Sequence, residues 1–155
     1  MNWIKADYED KNFMRSLWEF TDAYFAEIIS DKSVLKYFTS SEYRNAVIKY
    51  VKKERIVMLA ENTSGLNAIC FYDAQDVENI FLMEFCVAKN LRGKGYGKKL
   101  YFDFENYLLR NHNGCKNIAL TPTADGNRIF WSKMGFKPTG KISDNGEEIY
   151  TKVIE

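Results

Sequence analysis

The sequence predicts an α/β fold in which helices cover a mixed β-sheet, that is, an α+β mixed sheet. Two early stretches show the apolar spacing of amphipathic helices, and three apolar segments bounded by turn residues follow them. Beyond the middle of the chain, helical and strand patterns alternate, which favours a parallel strand pair joined by a helix. The 155 residues hold two prolines and no low-complexity linker, so we expect a single domain over residues 1–155.

The first fifty residues predict one strand and two helices. A short strand is expected near Trp3–Ala6. Apolar residues recur at helical spacing within residues 9–29. A second helix is expected at about 40–53, with Ser40 or Ser41 as its N-cap.

The remaining chain predicts six strands and two helices. The strands are expected at 55–61, 66–73, 79–88, 116–121, 136–142 and 147–153, and the helices from residue 97 to about Asn111 and at about 126–134. Turns are expected at Asn62–Gly65 and at Asp144-Asn145-Gly146, a strong hairpin signal. The segment 79–88 is too continuously apolar for a sheet edge. The sheet should therefore be antiparallel first and parallel only around the loop after 79–88.

Charge and composition narrow the classes of partner. The formal net charge is +1, which argues against binding nucleic acid through bulk charge. Residues 89–99 hold five basic side chains and no acid, whereas residues 1–31 hold three basic and seven acidic ones. We expect a local anion site rather than a polyanion track. Acids on amphipathic helices usually form the solvated face, although the early ones would also suit a cationic substrate.

The expected location is the cytoplasm. The opening MNWIKADYED lacks the apolar segment of a signal peptide, and no apolar run approaches membrane-spanning length. The three cysteines are an odd number without a CxxC pair, which favours reduced thiols.

The stretch VAKNLRGKGYGKKL, residues 87–100, lies where a predicted strand gives way to a helix, and it places three glycines within five residues. Free backbone N–H groups at a helix N-terminus attract an anion, and glycine lets a phosphate approach the peptide closely. A Walker loop does not fit, because Lys99 follows Gly97-Lys98 where Ser or Thr belongs. A dinucleotide fingerprint does not fit either, because Lys98 stands at its third glycine.

The pattern that fits is R-x-x-G-x-G, formed by Arg92, Gly95 and Gly97. A second signature, Lys133-Met134-Gly135-Phe136, follows a predicted strand and a short helix downstream. With these motifs and this order of elements, nearly the whole chain resembles the GNAT superfamily of acyl-CoA-dependent N-acyltransferases. The resemblance implies an antiparallel meander followed by a parallel strand pair that splays around the pantetheine arm of acetyl-CoA, the acyl donor.

The resemblance also implies the coenzyme contacts. Backbone amides would hold the pyrophosphate, and the strand before the loop would lie beside the pantetheine. Asn127 either reaches the pantetheine, in place of an asparagine that the family often has at the position of Ala124, or is an ordinary helix-start residue. The implied coenzyme-binding residues are Phe85, Cys86, Val87, Arg92, Gly93, Lys94, Gly95, Tyr96, Gly97, Lys98 and Asn127.

Two residues are candidates for the chemistry of acyl transfer. Glu84 is the only acid in its apolar strand, and burial would raise the pKa of its carboxyl toward that of a useful base. The alternative is that it points to the opposite face and is solvated or ion-paired. Trp131 stands where the family commonly has the tyrosine that protonates the leaving sulfur. Either its indole N–H only donates a hydrogen bond, or Tyr101 or Tyr150 serves instead.

The implied activity is transfer of an acetyl group from acetyl-CoA to a primary amine of a small molecule, a peptide or a protein by direct attack. The first two helices would bind the acceptor. The lone histidine, His112, is expected at a helix end, and no residues have a metal-ligand spacing, so no metal is expected. The alternatives are a non-catalytic acyl-CoA sensor of the same fold and an enzyme that binds a nucleotide phosphate. Either a monomer or a homodimer is compatible with the sequence.

Overall fold

The computed structural model describes residues 2–5, 7–51, 55–62, 65–123 and 125–154. Within these ranges seven strands form one sheet in the order β1-β2-β3-β4-β5-β7-β6. The strands are β1 (Asn2–Lys5), β2 (Arg55–Asn62), β3 (Gly65–Asp73), β4 (Asn79–Val87), β5 (Asn117–Leu120), β6 (Lys137–Ile142) and β7 (Glu148–Val153). Strand β4 lies at the centre of the sheet, as its unbroken apolar sequence predicts.

Helices cover both faces of the sheet. They are α1 (Lys11–Ile28), α2 (Lys32–Phe38), α3 (Ser41–Val51), α4 (Tyr96–Asn111) and α5 (Asp125–Lys133), and a short 3₁₀ turn lies at Lys89–Leu91. Side chains of α1 and α3 pack on one face with Ile69, Phe71 and Cys86. Side chains of α4 and α5 pack on the other face, around a larger aromatic core. The result is three layers with the sheet in the middle.

The pairing of the strands confirms the predicted mixed sheet. Strands β4 and β5 are parallel, and every other neighbouring pair is antiparallel. The parallel pair is joined through α4, the crossover that parallel strands require. The loop between β4 and α4 therefore lies at the carboxyl end of a central strand.

The first helical region differs from the sequence prediction. Within the described part of the chain, three helices lie between β1 and β2 instead of two, because residues 32–38 form the additional α2. The Asp31 side chain caps it by accepting from the amides of Ser33 and Val34 at 2.9 and 3.2 Å. Seven residues are too few for a recognisable helical period, so the sequence pattern did not predict it.

The predicted cap of α3 is confirmed, since the amide of Tyr43 donates to Ser40 Oγ at 3.3 Å. Parts of three predicted elements lie outside the described residues: the end of the first strand at residue 6, the end of the second helix at residues 52–53, and the turn at residues 63–64.

Candidate active site

The glycine loop presents a row of backbone amides without protein partners. In the described residues, the N–H groups from Gly93 to Lys98 donate to no protein acceptor. The row is bounded on both sides, because the Arg92 amide donates to Lys89 O and the Lys99 amide donates to Gly95 O, each at 3.3 Å. Six consecutive unpaired donors at a helix start form a site for an anion with several oxygens.

The conformation of the loop depends on two of its glycines. Gly93 and Gly95 have φ angles of 72° and 85°, the left-handed region that side chains with a Cβ rarely adopt. A Cβ built on either residue would have no heavy atom within 4 Å apart from its chain neighbours, so the loop is open on the side where that Cβ would lie. Gly97 has another role, because a Cβ there would lie 3.4 Å from the Phe130 ring. Its small size lets the start of α4 approach α5 closely.

The charges around this helix start favour an anion as well. Helix α4 has neither a side-chain cap nor an acid in its first turn, so its positive dipole end is not compensated there. Lys99 is ion-paired with Asp103 at 2.7 Å. Lys94 and Lys98 have no ion-pair partner among the described residues. A bound diphosphate would relieve the repulsion between these lysines and the helix dipole.

A gap opens between β4 and β5 directly below the loop. The two strands are paired only from Asn79 to Phe81, although β4 continues to Val87. The Ala88 amide donates to Asn67 O of β3 at 2.7 Å. Because N–H groups alternate between the two edges of a strand, those of Phe85 and Val87 point toward the gap and that of Cys86 points toward β3. An extended ligand arm could add to this edge as a further strand does.

A β-bulge at Met83 decides which way Glu84 points. Phe71 of β3 is opposite Glu84, whereas the next residue, Tyr72, is opposite Leu82, so Met83 is the extra residue. Before the bulge, Leu82 lies on the α4 face of the sheet. After it, Glu84 lies with Cys86 on the α1 face. The bulge therefore points the carboxylate away from the aromatic core and toward α1 and α3.

The surroundings of Glu84 are apolar and aromatic. The Cys86 thiol donates to Glu84 Oε2 at 3.7 Å. Burial raises the pKa of the Glu84 carboxyl above its ordinary value of 4.5, and the bond from Cys86 only partly offsets this. Burial also raises the pKa of the Tyr24 and Tyr43 hydroxyls, and the nearby carboxylate adds to it. A carboxyl whose pKa is shifted toward neutrality can take a proton from an amine near pH 7.

The Arg92 side chain joins β4 to α1. Its Nε donates to Val87 O at 2.9 Å, and its Nη1 forms an ion pair with Glu27 of α1. The guanidinium also lies over the Tyr24 ring, 5.8 Å from the ring centroid. Arg92 thus bridges the end of the strand beside the gap and the helix that packs over Glu84.

Trp131 is 8% exposed and belongs to the aromatic core on the α4 face. Its ring centroid lies 5.5 Å from that of Phe85, so the indole lies beside β4 near the gap. The alternative donor Tyr101 is fully buried, and burial, with the nearby Glu105 carboxylate, raises the pKa of its hydroxyl. The alternative donor Tyr150 packs in the same core, paired with Leu120 of β5.

Asn127 is exposed in the first turn of α5, and residue 124 lies outside the described residues. Within the described ranges no three His, Cys, Asp or Glu side chains come together as metal ligands. No helix in those ranges combines the length and apolar character needed to cross a bilayer. Cys70, Cys86 and Cys115 are buried, and none of them forms a disulfide.

The sequence did not single out Tyr24, Tyr43 and Glu27 as site residues. Tyr24 and Glu27 are three residues apart on α1 and therefore share one helix face. That spacing shows from the sequence that the two residues share a helix face, but it does not show that this face packs near Glu84 and Arg92.

The model of the acetyltransferase (GNAT) domain family matches residues 52–138, more than half of the chain. The chain therefore belongs to the GNAT acetyltransferase family. It is an acyl-CoA-dependent acetyltransferase with acetyl-CoA as its cosubstrate. No curated protein of known sequence matches the chain.

Solved structures share the fold over the full length. The aminoglycoside 6'-N-acetyltransferase from Enterococcus faecium superposes with a TM-score of 0.73 at 18% identity, covering 100% of this chain and 98% of that one. An aminoglycoside 6'-N-acetyltransferase complexed with coenzyme A gives 0.72 at 16% identity, with coverages of 100% and 98%. The PaiA N-acetyltransferase from Thermoplasma acidophilum, in complex with coenzyme A, gives 0.70 at 18% identity and 99% of both chains. At these identities the similarity establishes the fold.

Proposed function

We propose that the protein transfers the acetyl group of acetyl-CoA to a primary amine of a small molecule, a peptide or a protein by direct attack, with Glu84 as the general base. The observation that carries this proposal is the position of Glu84. Its half-buried carboxyl, with a raised pKa, lies on the strand that borders the gap, a few residues from the unpaired amides. One short segment of chain thus holds an anion site, a slot for an extended arm and a base.

The coenzyme is proposed to bind through its diphosphate to the amides of residues 93–98, with help from Lys94 and Lys98. Its pantetheine arm is proposed to lie in the gap and to pair with the N–H groups of Phe85 and Val87. The open space in front of Gly93 and Gly95 supports the first contact. The early end of the β4–β5 pairing supports the second. The acyl-CoA thioester supplies the activated carbonyl.

The acceptor amine must lose a proton to attack. A primary amine has a pKa of about 10.4 in the lysine case, so it is mostly protonated at neutral pH. In the proposed step the amine nitrogen forms a bond to the carbonyl carbon and the carbon–sulfur bond breaks. Glu84 accepts the proton that the amine gives up, directly or through water. A backbone N–H near Val87 that the pantetheine arm leaves unpaired is proposed to stabilise negative charge on the carbonyl oxygen, and the Trp131 N–H is proposed to stabilise the departing sulfur.

The acceptor is proposed to approach from the α1 and α3 side, since the bulge turns Glu84 to that face. The acidic bias of residues 1–31 supports a cationic amine. Two of the similar structures are named as aminoglycoside acetyltransferases, which supports an amino group on a small molecule as one option. We also propose that the protein acts in the cytoplasm, as a monomer or homodimer, and the three cysteines, none of which forms a disulfide, suit a reducing compartment.

The test is Glu84→Gln, assayed by release of free CoA across a panel of amines from about pH 6 to about pH 10. Turnover should fall roughly a hundredfold or more near neutral pH and less at high pH, where the amine deprotonates unaided. Glu78→Gln, an exposed acid just before β4, is the control and should leave turnover unchanged. A pH–rate profile of Glu84→Gln identical to that of the wild type would remove Glu84 from the mechanism.

The same variant gives an independent check of burial. A carboxyl with a raised pKa in the folded state holds a proton that the unfolded chain has already lost, so stability declines as pH rises above 4.5 through the folded pKa. Glu84→Gln removes this decline. Its melting temperature relative to the wild type should therefore increase from acidic to neutral pH.

A further inference from the structure

The contacts of Arg92 form a chain from the coenzyme side of the site to the acceptor side. The peptide group between Val87 and Ala88 is held on both sides, by Arg92 Nε on the Val87 oxygen at 2.9 Å and by Asn67 O on the Ala88 amide at 2.7 Å. This peptide group follows directly on the Val87 N–H that faces the gap. The Arg92 side chain therefore fixes the end of the strand edge on which the pantetheine and the thioester are proposed to lie.

The other end of the Arg92 side chain acts on α1. Its ion pair with Glu27 and its position over the Tyr24 ring hold the last turns of α1 against β4. Tyr24 lies close to the Cys86 thiol, and the charge of Arg92 lowers the pKa of both groups against the effect of burial. The Cys86 thiol in turn contacts Glu84 Oε2. One guanidinium thereby holds α1 against the strand edge, and Tyr24 of α1 lies beside the Cys86 thiol that contacts Glu84.

The position of the guanidinium argues against a phosphate role for this side chain. Its Nε and Nη1 are bonded to Val87 O and Glu27, so two of its three nitrogens are already committed to protein acceptors. Lys94 and Lys98, by contrast, have no ion-pair partner in the described part of the chain. The cations of this basic segment thus divide into lysines beside the anion site and an arginine committed to protein contacts.

We propose that Arg92 is a positioning residue that couples the coenzyme strand edge to the acceptor helix through Val87 and Glu27. The inference rests on the proposed function, because it assumes that the acceptor amine meets Glu84 from the α1 side. Arginine suits this role, since its planar fork can donate to a carbonyl and a carboxylate at once. A lysine ammonium at the end of a flexible chain could keep the charge contact with Glu27 but would not hold both partners in fixed geometry.

The experiment measures kcat, both KM values and the melting temperature for Arg92→Gln, Arg92→Lys, Glu27→Gln and the double variant Glu27→Gln/Arg92→Gln. Arg92→Gln and Glu27→Gln should each lower kcat roughly tenfold while the KM for acetyl-CoA changes by less than about threefold. The kcat of the double variant should be close to that of Arg92→Gln, rather than reduced by the product of the two single effects. Arg92→Lys should have a melting temperature close to that of the wild type, but its kcat should remain low, as in Arg92→Gln.

The chain offers a matched control in the ion pair between Arg44 and Asp22. It also joins α1 to another element, and its side chains are 33% and 37% exposed, against 35% and 32% for Arg92 and Glu27. Arg44→Gln should lower the melting temperature by a similar amount and leave kcat unchanged. This comparison separates a general loss of α1 packing from a loss of alignment at the site.

Three results would overturn the proposal. If Arg92→Lys recovers kcat together with the melting temperature, the arginine acts only through charge and stability. If Arg92→Gln raises the KM for acetyl-CoA tenfold or more while Glu27→Gln has no effect, the guanidinium acts on the phosphates. If Arg92→Gln leaves kcat unchanged, no positioning is needed. A failure of the Glu84 assignment would instead show as normal turnover of Glu84→Gln, with the Arg92 and Glu27 effects still measurable.

Discussion

The unpaired amides of the glycine loop lead to a prediction about CoA affinity, and this effect can be measured separately from the effect of backbone strain on stability. Gly95→Ala places a methyl group in open space at the loop whose amides are unpaired, where the diphosphate is proposed to approach the backbone. Gly95 has a φ of 85°, so alanine also strains the loop. The left-handed conformation costs about 1–2 kcal/mol for a residue with a Cβ, and the stiffer unfolded chain offsets about 0.4–1 kcal/mol of this.

The net loss of stability is therefore about 1 kcal/mol, which corresponds to a fall in melting temperature of about 2–4 °C for a chain of this size. The loss of coenzyme affinity should be larger. Displacing the phosphate from one charge-assisted hydrogen bond costs about 1.5–3 kcal/mol. Since about 1.4 kcal/mol is a factor of ten, the dissociation constant for CoA should rise roughly tenfold to a hundredfold.

Gly114→Ala is the matched control. Gly114 has a φ of 89°, and a Cβ there would also have no heavy atom within 4 Å. It lies beyond the far end of α4, a helix of 16 residues that is about 24 Å long. Both variants carry the same backbone strain, and only Gly95→Ala meets the proposed ligand.

Isothermal titration calorimetry with CoA and thermal melting of each variant give the two quantities. We expect similar melting temperatures for the two variants and weaker CoA binding for Gly95→Ala alone. Equal dissociation constants for Gly95→Ala and Gly114→Ala would refute the assignment of the diphosphate to these amides.

Two further predictions concern residues on the α4 side of the sheet. His112 Nε2 lies 2.9 Å from the Tyr72 hydroxyl, and burial, together with the charge of Lys5, lowers the pKa of this histidine below 6.5. As the pH falls, the unfolded chain therefore binds a proton at a higher pH than the folded chain does, and the free energy of unfolding should decrease below pH 6.5. The melting temperature of His112→Asn should decrease less than that of the wild type over the same pH range. Trp131→Phe keeps an aromatic ring in the core but removes the indole N–H. If that N–H stabilises the departing sulfur, kcat should fall roughly fivefold, as for one hydrogen bond of about 1 kcal/mol. Unchanged kcat would leave packing as the role of Trp131.

The sequence predicted the fold well because each part of the prediction rested on a local signal. The glycine loop, the Asp144-Asn145-Gly146 hairpin and the long apolar β4 each have a pattern that sets their local structure. Together they fix the order of elements and the parallel crossover. Helix α2 was not predicted because its seven residues are stabilised by the Asp31 cap and by packing rather than by a periodic apolar face.

The candidate site could be predicted only in part, because two of its features depend on the tertiary structure. The sequence left two orientations open for Glu84, and the bulge at Met83 selects the one that faces α1. Strand periodicity alone cannot locate an extra residue, since a bulge changes the facing of every residue after it. The sequence also grouped Arg92 with the neighbouring lysines. Its actual partner, Glu27, is 65 residues away along the chain, and no local pattern connects them.

The bulge in β4 also determines how the protein responds to substitutions and deletions in this strand. Because Met83 is an extra residue, it interrupts the alternation of side chains between the two faces of β4. One alternating run ends at Leu82, and a second begins at Glu84. Deleting Met83 would remove the bulge and leave Leu82 and Glu84 on their present faces, whereas deleting Phe85, with the pairing on either side kept, would turn the Glu84 carboxylate into the aromatic layer. Point substitutions in this stretch alter one side chain at a time, whereas the effect of a one-residue deletion depends on which side of the bulge it falls.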